Sequence, residues 1–230
     1  KTKLIHGERW NPNTNTLLDK SFRMVERYFS WLVDGWIVNS KIIQQTLISR
    51  CGIKNSKIHF IYNGITLPSN INSFPEGEIE VLTVANLNKR KGYLEYLIII
   101  SKIVELLPNI KFVFVGRDEM DGEVQKKITE YGLENYISYK GFQSDVTDCF
   151  ERASLFVLPS LWGEGCPTSI LEAFSYSIPV VAYNIDGIPE LVKSGDDGLL
   201  LELGDENGYK KIVEILKSNE ILSIMGERGR

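Results

Sequence analysis

Two glutamates separated by seven residues, Glu164 and Glu172, mark the segment of this 230-residue chain whose residue types best suit chemistry. A glycine-containing loop carries Glu164 and leads from the apolar run at 155–160 into a helix predicted to begin near Thr168, with Glu172 on its first turn. The exposed N–H groups and the dipole at a helix start suit a phosphate. Carboxylate oxygens only accept hydrogen bonds, so they suit sugar hydroxyls. The spacing therefore indicates a site for phosphate and sugar together.

Each acid also has a purely structural explanation. Ser169 and Glu172 have the S-x-x-E spacing of a capping box, which alone would account for Glu172. Glu164 could be a solvated loop acid. The combination of both acids with the apolar strand predicted at 179–182 and the DGIPE segment at 186–190 favours a binding site.

Other residues near these segments have weaker signals. Lys91 precedes a predicted helix, where the dipole slightly disfavours a cation, so a function is the better explanation. Cys166 is predicted to line a pocket rather than act as a nucleophile, because no histidine lies near it in the sequence. Trp162 could stack on a sugar, although core packing is the more ordinary role. His6 directly follows the strand-like KTKLI at 1–5.

The elements that must position these residues alternate between strands and helices. Apolar runs separated by helices predict a parallel sheet buried between two helical layers, in which ligands bind where loops leave the carboxyl ends of the strands. Ser40 is the predicted N-cap of a helix, and 66–78, rich in Pro, Gly, Asn and Ser, is the predicted linker. The predicted strands are 36–38, 57–62, 81–85, 112–115, 137–140, 155–158 and 179–182; the predicted helices are 16–32, 92–107, 122–131, 144–152 and those opened by Ser40 and Thr168.

Composition narrows the class of protein. Hydrophobic residues make up 43% and charged residues 24% of the chain, which is typical of a globular protein with a core. The three cysteines have no CxxC or Cys/His spacing, so neither a disulfide framework nor a zinc site is expected. The expected location is therefore a reducing compartment. No apolar run approaches the roughly 20 residues of a membrane-spanning helix, and no signal peptide is recognisable. The first residue, a lysine, suggests a truncated chain.

Charge is distributed unevenly along the chain. The net charge is +6 over 1–70 and −10 over 71–230. A basic first part could lie against anionic lipid or phosphate, whereas an acidic remainder argues against binding of duplex nucleic acid. Chance clustering is an equal alternative.

The segment after Glu172 continues as PVVA…GIPELV…G…GLL over 179–200, and further motifs precede it. These are the segments 38–65, 86–92, 115–116 and 139–142. On these motifs, which extend over essentially the whole chain, the sequence resembles the GT-B retaining glycosyltransferases of the family 4 type. The resemblance implies an α/β fold of the GT-B type. Residues 1–65 would be the second half of a truncated, Rossmann-like acceptor-side domain, and 66–78 would be a linker. Residues 79–230 would form a Rossmann-like donor domain with a doubly wound parallel sheet.

The resemblance also implies roles for individual residues. Glu172 would hold the ribose hydroxyls of the donor nucleotide, and Glu164 would contact hydroxyls of the donor sugar. Lys91 would neutralise the diphosphate, with Arg90 as a second cation. His6 corresponds to a strand-end histidine that faces the donor sugar. The remaining donor-binding residues would be Gly116, Phe142 near the base, and the backbone of Gly165, Cys166, Thr168 and Ser169.

Three positions depart from the family pattern. Asn86 stands where an arginine is frequent, and Pro167 stands where a glycine is common and removes one N–H group from the phosphate cradle. Ser177 also replaces a usual glycine, with consequences expected for packing only.

The expected activity is transfer of a sugar, with retention, from a UDP- or GDP-linked donor to a glycan or lipid-linked acceptor in cell-surface polysaccharide or glycolipid synthesis. No Asp-x-Asp motif is present, so no metal or other cofactor is expected. The expected location is cytoplasmic. Peripheral contact with an anionic membrane, through the missing N-terminal part, is an open possibility. A chain with only part of the acceptor-side domain is expected to bind donor but to transfer sugar poorly.

Other functions remain open at this point. A sugar-nucleotide epimerase or an α-glucan phosphorylase would share the fold, and a non-catalytic nucleotide-binding module would share the site. A flavodoxin-like signalling domain would need a phosphorylatable aspartate at a strand end, for which Asp118 is the candidate.

Overall fold

Three parallel strands form the smaller of two sheets in the computed structural model, which describes residues 2–9, 17–68 and 77–230. The strands are β1 (Ile5–Glu8), β2 (Gly35–Val38) and β3 (Ile58–Phe60), in the spatial order β1-β2-β3, and the helices are α1 (Leu17–Phe29) and α2 (Lys41–Cys51). They belong to the first of two compact units, which also contains the segments Trp162–Thr168 and Ile185–Leu191.

Local sequence signals set the ends of α2. The Ser40 hydroxyl accepts a hydrogen bond from the N–H of Ile43, which confirms the predicted N-cap, and Gly52 ends the helix in the left-handed conformation at φ 67°. The helix covers the small sheet with its apolar face. The core that results contains Trp36, Val38, Ile43, Leu47, Cys51, Ile53 and Ile58.

The predicted helix at 16–32 exists but is shorter, because α1 ends at Phe29. The prediction rested on apolar residues at steps of four and three, of which Val25, Phe29 and Leu32 are 51%, 51% and 46% exposed. The side chains of Leu18 and Phe22, the other two predicted positions, lie outside the described residues. The amphipathic pattern therefore predicted the helix correctly, while its apolar stripe stays accessible at these three described positions.

Six parallel strands form the larger sheet, which belongs to the second unit. Its strands lie in the order β6-β5-β4-β7-β8-β9, and every neighbouring pair is parallel. The strands are β4 (Ile79–Val84), β5 (Ile110–Val115), β6 (Ile137–Tyr139), β7 (Leu155–Leu158), β8 (Val180–Tyr183) and β9 (Gly198–Leu201). The helices are α3 (Tyr93–Leu106), α4 (Glu123–Glu130), α5 (Thr147–Arg152), α6 (Thr168–Ser175), α7 (Gly208–Leu216) and α8 (Asn219–Gly229).

The chain order of this sheet reverses between β4 and β7. Counted from β4, the spatial order is 3-2-1-4-5-6, which is that of a doubly wound Rossmann fold. All four residues of β7 and of β8 are buried, as expected for strands covered on both faces. The predicted α/β class with a doubly wound parallel sheet is confirmed, and the reversal places the ligand-binding edge at the loops that leave β4 and β7.

Other predictions differ from the structure in detail. Residues 2–4 are not in a strand; β1 begins at Ile5, because pairing with β2 begins there, opposite Gly35. Strand β9 and helices α7 and α8 were not predicted. Residues 69–76 of the predicted linker lie outside the described residues. No described helix has the length and apolar character needed to cross a membrane.

Candidate functional site

The loop that carries Glu164 is held by the segment around Asp186, within the first unit. The N–H groups of Gly163 and Glu164 both donate to Oδ2 of Asp186, over 2.6 and 3.2 Å. In return, the N–H of Gly187 donates to the carbonyl of Glu164 over 3.0 Å. Residues 163–167 are all buried, and Glu164 is 5% exposed. This burial excludes the alternative that Glu164 is a solvated loop acid.

The next two residues of the loop, Gly165 and Cys166, lie close to Asn39 and Asn63, which follow strands β2 and β3. A Cβ atom added at Gly165 would lie 2.6 Å from Oδ1 of Asn39, so this close approach requires glycine. The side-chain amide of Asn63 donates to the carbonyl of Cys166 over 2.6 Å and accepts from the Arg9 guanidinium over 2.9 Å. Burial raises the pKa of the Cys166 thiol, which suits a lining residue better than a nucleophile.

Helix α6 follows directly and begins at Thr168, as predicted. Ser169 is its second residue and therefore lies inside the first turn rather than at the N-cap, so the capping-box explanation of Glu172 is wrong. Glu172 is the fifth residue, one turn further along than predicted. Its side chain is half-buried, and desolvation raises the pKa of its carboxyl. Thr168 is exposed, and Ser169 is partly exposed.

The loop after β4 carries a basic turn, Lys89–Lys91, in the second unit. Asn88 caps this turn, since its Oδ1 accepts a hydrogen bond from the N–H of Lys91 over 3.2 Å. The carbonyl of Arg90 accepts a hydrogen bond from the N–H of Leu161 over 2.8 Å. Arg90 and Lys91 are partly buried. The basic turn therefore lies directly against the loop that leaves β7, at the point where the sheet reverses its order.

Asn86, which stands where an arginine is frequent in the family, has a structural role in the same loop. Its amide nitrogen donates to Glu119 over 2.7 Å, and its oxygen accepts from the N–H of Arg117 over 3.2 Å. The amide of Asn88 donates to the other oxygen of Glu119 over 2.8 Å. One carboxylate thus connects the two asparagines on either side of Leu87 and fixes the loop that leads to Lys91.

Gly116 and Phe142 lie at the adjacent ends of β5 and β6. The N–H of Gly116 donates to the carbonyl of Gly141 over 3.0 Å, and a Cβ atom at Gly116 would lie 2.0 Å from the carbonyl oxygen of Ala85. The Phe142 ring is 56% exposed, and the Arg117 guanidinium lies 4.5 Å from its centroid, in cation–π geometry. Phe142 is therefore accessible to solvent at the end of β6, with the Arg117 guanidinium over its ring.

Asp118, the candidate for a phosphorylatable aspartate, has a turn-forming role instead. Its two carboxylate oxygens accept hydrogen bonds from the N–H groups of Met120 and Gly122, over 2.8 and 2.7 Å. Both oxygens are therefore engaged in shaping the turn before α4, as expected for an Asx-type turn. This observation does not favour the signalling-domain alternative.

His6 lies inside β1, paired with Trp36, and not after the strand as predicted. The prediction was wrong because pairing with β2 shifts the strand towards later residues. The His6 ring lies 4.6 Å from that of Trp36, and its Nε2 lies 3.4 Å from Oε2 of Glu8. One ligand atom from each of His6, Glu8 and Glu26 lies within 4.8 Å of the others, and an imidazole with two partly buried carboxylates is a donor set that a divalent metal ion accepts.

The sequence did not indicate the structural roles of two carboxylates in the DGIPE segment, Asp186 and Glu190. Asp186 holds the Glu164 loop, and Glu190 accepts from the N–H groups of Lys41 and Ile42 over 2.8 and 2.9 Å, at the start of α2. The Asp-Gly pair at 186–187 is a turn signal that could have indicated the left-handed φ of 46° at Asp186.

Of the predicted site residues, the first unit contains His6, Glu164, Gly165, Cys166 and Thr168. The second unit contains Arg90, Lys91, Gly116, Phe142, Ser169 and Glu172.

Two family descriptions match this chain. Residues 67–230 match the family described as "Glycosyl transferases group 1", and residues 4–67 match "Glycosyltransferase Family 4". The first match covers more than half of the chain. The chain therefore belongs to the glycosyl transferases group 1 family. The doubly wound sheet, with its basic turn against the loop after β7, agrees with that assignment.

Individual relatives and solved structures support the same fold. The chain is 31% identical to the Escherichia coli UDP-Gal:alpha-D-GlcNAc-diphosphoundecaprenol alpha-1,3-galactosyltransferase, over 98% of its own length and 62% of the relative's. The structure of S. aureus TarM with UDP superposes with a TM-score of 0.86 at 20% identity, over 99% of this chain and 46% of TarM. Anabaena HepE with UDP and glucose gives 0.82 at 22% identity, over 99% and 65%. The fold is thus of the GT-B type, and the chain spans less than two thirds of each of these relatives.

Proposed function

We propose that this chain provides the donor-binding part of a retaining glycosyltransferase, which transfers a sugar from a nucleotide-diphosphate sugar to an acceptor hydroxyl. One observation carries the proposal: the hydrogen bond from Leu161 N–H to the Arg90 carbonyl, which holds the basic turn against the β7 loop at the switch point of the sheet. Sheets of this type bind ligands at that point, and two adjacent cations there suit a diphosphate.

In the second unit, the proposed roles concern the nucleotide. Lys91 and Arg90 neutralise the diphosphate, and the partial burial of both side chains strengthens their attraction to it. Glu172 accepts hydrogen bonds from the ribose hydroxyls, and the backbone of Ser169 in the first turn of α6 adds an N–H donor. Gly116 allows close approach, and the exposed ring of Phe142 stacks on the base.

In the first unit, the proposed roles concern the donor sugar. Glu164 accepts hydrogen bonds from sugar hydroxyls, which requires a carboxylate held in a fixed place. Two hydrogen bonds to the Asp186 carboxylate and one from the N–H of Gly187 hold the backbone of its loop. The backbone of Gly165, Cys166 and Thr168 lines the sugar and the diphosphate. His6 contributes an imidazole with 44% of its side chain exposed; a position inside β1 is compatible with this role, because the ring still reaches solvent.

The proposed chemistry follows the family resemblance. The bond between the anomeric carbon and the phosphate oxygen breaks, a bond to the acceptor oxygen forms on the same face, and the departing phosphate takes the acceptor's proton. The residues of this chain would then work by positioning the sugar and by stabilising the negative charge that develops on the diphosphate. We propose no metal ion or other cofactor for this step.

We further propose UDP as the donor nucleotide and a lipid-linked saccharide as the acceptor. The names of the relatives support both choices: the E. coli relative is named for UDP-Gal and a diphosphoundecaprenol-linked acceptor, and TarM and HepE were solved with UDP. The net charge of +6 over residues 1–70 supports work at the inner, anionic surface of the cytoplasmic membrane.

A thermal-shift panel on the 230-residue chain tests the donor assignment. UDP and UDP-sugars are expected to raise the melting temperature, and GDP and GDP-sugars are not. At a ligand concentration of about 100 times Kd, binding adds roughly 2.7 kcal/mol, which for a chain of this size corresponds to about 5–10 °C. Glu172→Gln should lose the shift, and Glu214→Gln, an exposed glutamate on α7, should keep it. Absence of any nucleotide-induced shift in the wild-type chain would contradict the proposal.

A further inference from the structure

Asp186 occupies a backbone conformation that is costly for its residue type. Its φ is 46°, in the left-handed region, where it is one of three non-glycine residues among those described; the others are Asp121 and Ser177. Aspartate tolerates this region better than most residues, although glycine would adopt it without cost. An aspartate held in this conformation is expected to make side-chain contacts that offset the cost of its backbone conformation.

The Asp186 side chain binds the backbone of the Glu164 loop. One carboxylate oxygen accepts two hydrogen bonds, from the N–H groups of Gly163 at 2.6 Å and Glu164 at 3.2 Å. Hydrogen bonds to a charged acceptor are stronger than neutral ones. The neighbouring N–H of Gly187 donates to the Glu164 carbonyl at 3.0 Å. Both backbone polar groups of Glu164 are therefore bonded to the 186–187 dipeptide.

Close packing reinforces these bonds. A Cβ atom added at Gly187 would lie 1.9 Å from the carbonyl oxygen of Gly165. The dipeptide and the loop are therefore in direct backbone contact across two successive loop residues, 164 and 165. A shift of one segment must move the other, because a buried interior is close-packed.

The same segment is anchored to the core at its other end. Glu190 accepts hydrogen bonds from the N–H groups of Lys41 and Ile42, the first two residues of α2. A carboxylate at a helix start also interacts favourably with the helix dipole. The path from α2 to Glu164 therefore consists of the hydrogen bonds of Glu190 and of Asp186 and the short chain segment between these two residues, all within the first unit.

We propose that Asp186 is a positioning residue for Glu164, and that this role sets the affinity for the sugar half of the donor; the proposal rests on the function proposed above. Glu164 is the residue assigned to the sugar hydroxyls, and a carboxylate displaced by about 1 Å no longer meets them in bonding geometry. The Asp186 carboxylate fixes the backbone from which Glu164 projects. Loss of that carboxylate should therefore weaken binding of a nucleotide sugar more than binding of the nucleotide diphosphate.

Three variants separate this role from a general effect on folding. Asp186→Gly removes the carboxylate and suits the left-handed φ, so it adds no backbone strain. Asp186→Asn keeps an acceptor oxygen in the same place and should restore much of the function. Asp121→Gly is the matched control, because Asp121 is an exposed aspartate with φ 51° before α4.

The experiment measures binding of UDP and of UDP-sugars by calorimetry, and amide hydrogen exchange at residues 163 and 164, on the full 230-residue chain. We expect Asp186→Gly to weaken UDP-sugar binding about 10-fold, the scale of one charged hydrogen bond, to weaken UDP binding clearly less, and to speed exchange at both amides. Asp121→Gly should match the wild type in all three readouts.

The outcomes also separate this proposal from the proposed function. Unchanged exchange at residues 163 and 164 in Asp186→Gly, or equal weakening of UDP and UDP-sugar binding, would overturn the positioning role. If the wild type binds neither ligand, the proposed function fails, and the exchange measurement alone then decides whether Asp186 positions the loop.

Discussion

The side-chain amide of Asn63 donates a 2.6 Å hydrogen bond to the backbone carbonyl of Cys166, 103 residues later in the chain. The same side chain accepts a hydrogen bond from Arg9 through its oxygen. Asn63 therefore connects the segment that follows β3 to the buried loop that carries Glu164. A buried carbonyl that loses such a partner is costly, because water does not readily replace it.

Replacement of Asn63 by alanine should destabilise the chain by about 1–3 kcal/mol, the cost of leaving a buried carbonyl unpaired. For a chain of this size, this corresponds to a fall of roughly 2–12 °C in melting temperature, measured by calorimetry or circular dichroism. Asn184→Ala is the control, since Asn184 is exposed and its amide donates to the exposed Glu202. A loss of stability no larger than that of the control would show that the bond to Cys166 is not needed.

Gly187→Ala should be among the most damaging single substitutions in the first unit. The added Cβ atom would lie 1.9 Å from the Gly165 carbonyl oxygen, a backbone atom that cannot rotate away. We expect a loss of about 1–3 kcal/mol from forced backbone shifts, measured by urea denaturation. Gly64→Ala, where a Cβ atom meets nothing within 4 Å, should stay within about 0.5 kcal/mol of the wild type. Equal stability of the two variants would contradict the close approach.

Glu172 should make the chain less stable as pH rises, because burial raises the pKa of its carboxyl above the value in the unfolded chain. Between those two pKa values the folded state binds more protons than the unfolded state, so the free energy of unfolding falls with increasing pH. Below the unfolded value the effect is absent. Glu172→Gln removes this dependence and should therefore be more stable than the wild type at pH 7 and equal to it in acid.

The expected gain for Glu172→Gln is small, because the side chain is only half-buried and solvent screens it. A fraction of 1 kcal/mol corresponds to a rise of roughly 1–2 °C in melting temperature at pH 7. Thermal melts of both proteins across the acidic to neutral range measure it, with Glu214→Gln as control. A variant less stable than the wild type at pH 7 would show that the Glu172 carboxylate stabilises the fold instead of serving a ligand.

Lys91→Ala should weaken UDP binding about 10-fold, as expected for loss of one charged hydrogen-bond partner. The remaining affinity should also depend less on salt concentration, because one cation fewer faces the diphosphate. Calorimetric titration of UDP at low and at physiological ionic strength measures both effects. Lys126→Ala, an exposed lysine on α4, is the matched control. The assignment of Lys91 fails if the two variants bind UDP equally well.

The sequence predicted those parts of the structure that depend on neighbours in the chain. Ser40 was identifiable as an N-cap because its partner, the N–H of Ile43, is three residues away. Continuous apolar runs such as 155–158 predicted buried strands, since both faces of a strand in this sheet are covered. The predicted start of a helix near Thr168 is also confirmed, although α6 begins before Ser169 and so removes the capping box.

Features that depend on distant partners were not predicted. Asp186 and Gly163 are 23 residues apart, so no local sequence pattern indicates their hydrogen bond. The start of β1 was misjudged because pairing with Gly35, 30 residues later than Ile5, decides it. The order of strands in the large sheet is likewise a property of pairing and cannot be derived from the periodicity of any one strand.

The hydrogen bond between Leu161 and Arg90 has a practical consequence for protein engineering. The loops after β4 and β7 share this bond, and a Cβ atom at Gly92 would lie 2.2 Å from the Pro159 carbonyl oxygen. A graft of only one of these loops that changes its backbone path would lose the bond, and one that puts a side chain at position 92 would create a clash. Transplanted specificity should therefore require both loops to be exchanged as a matched pair.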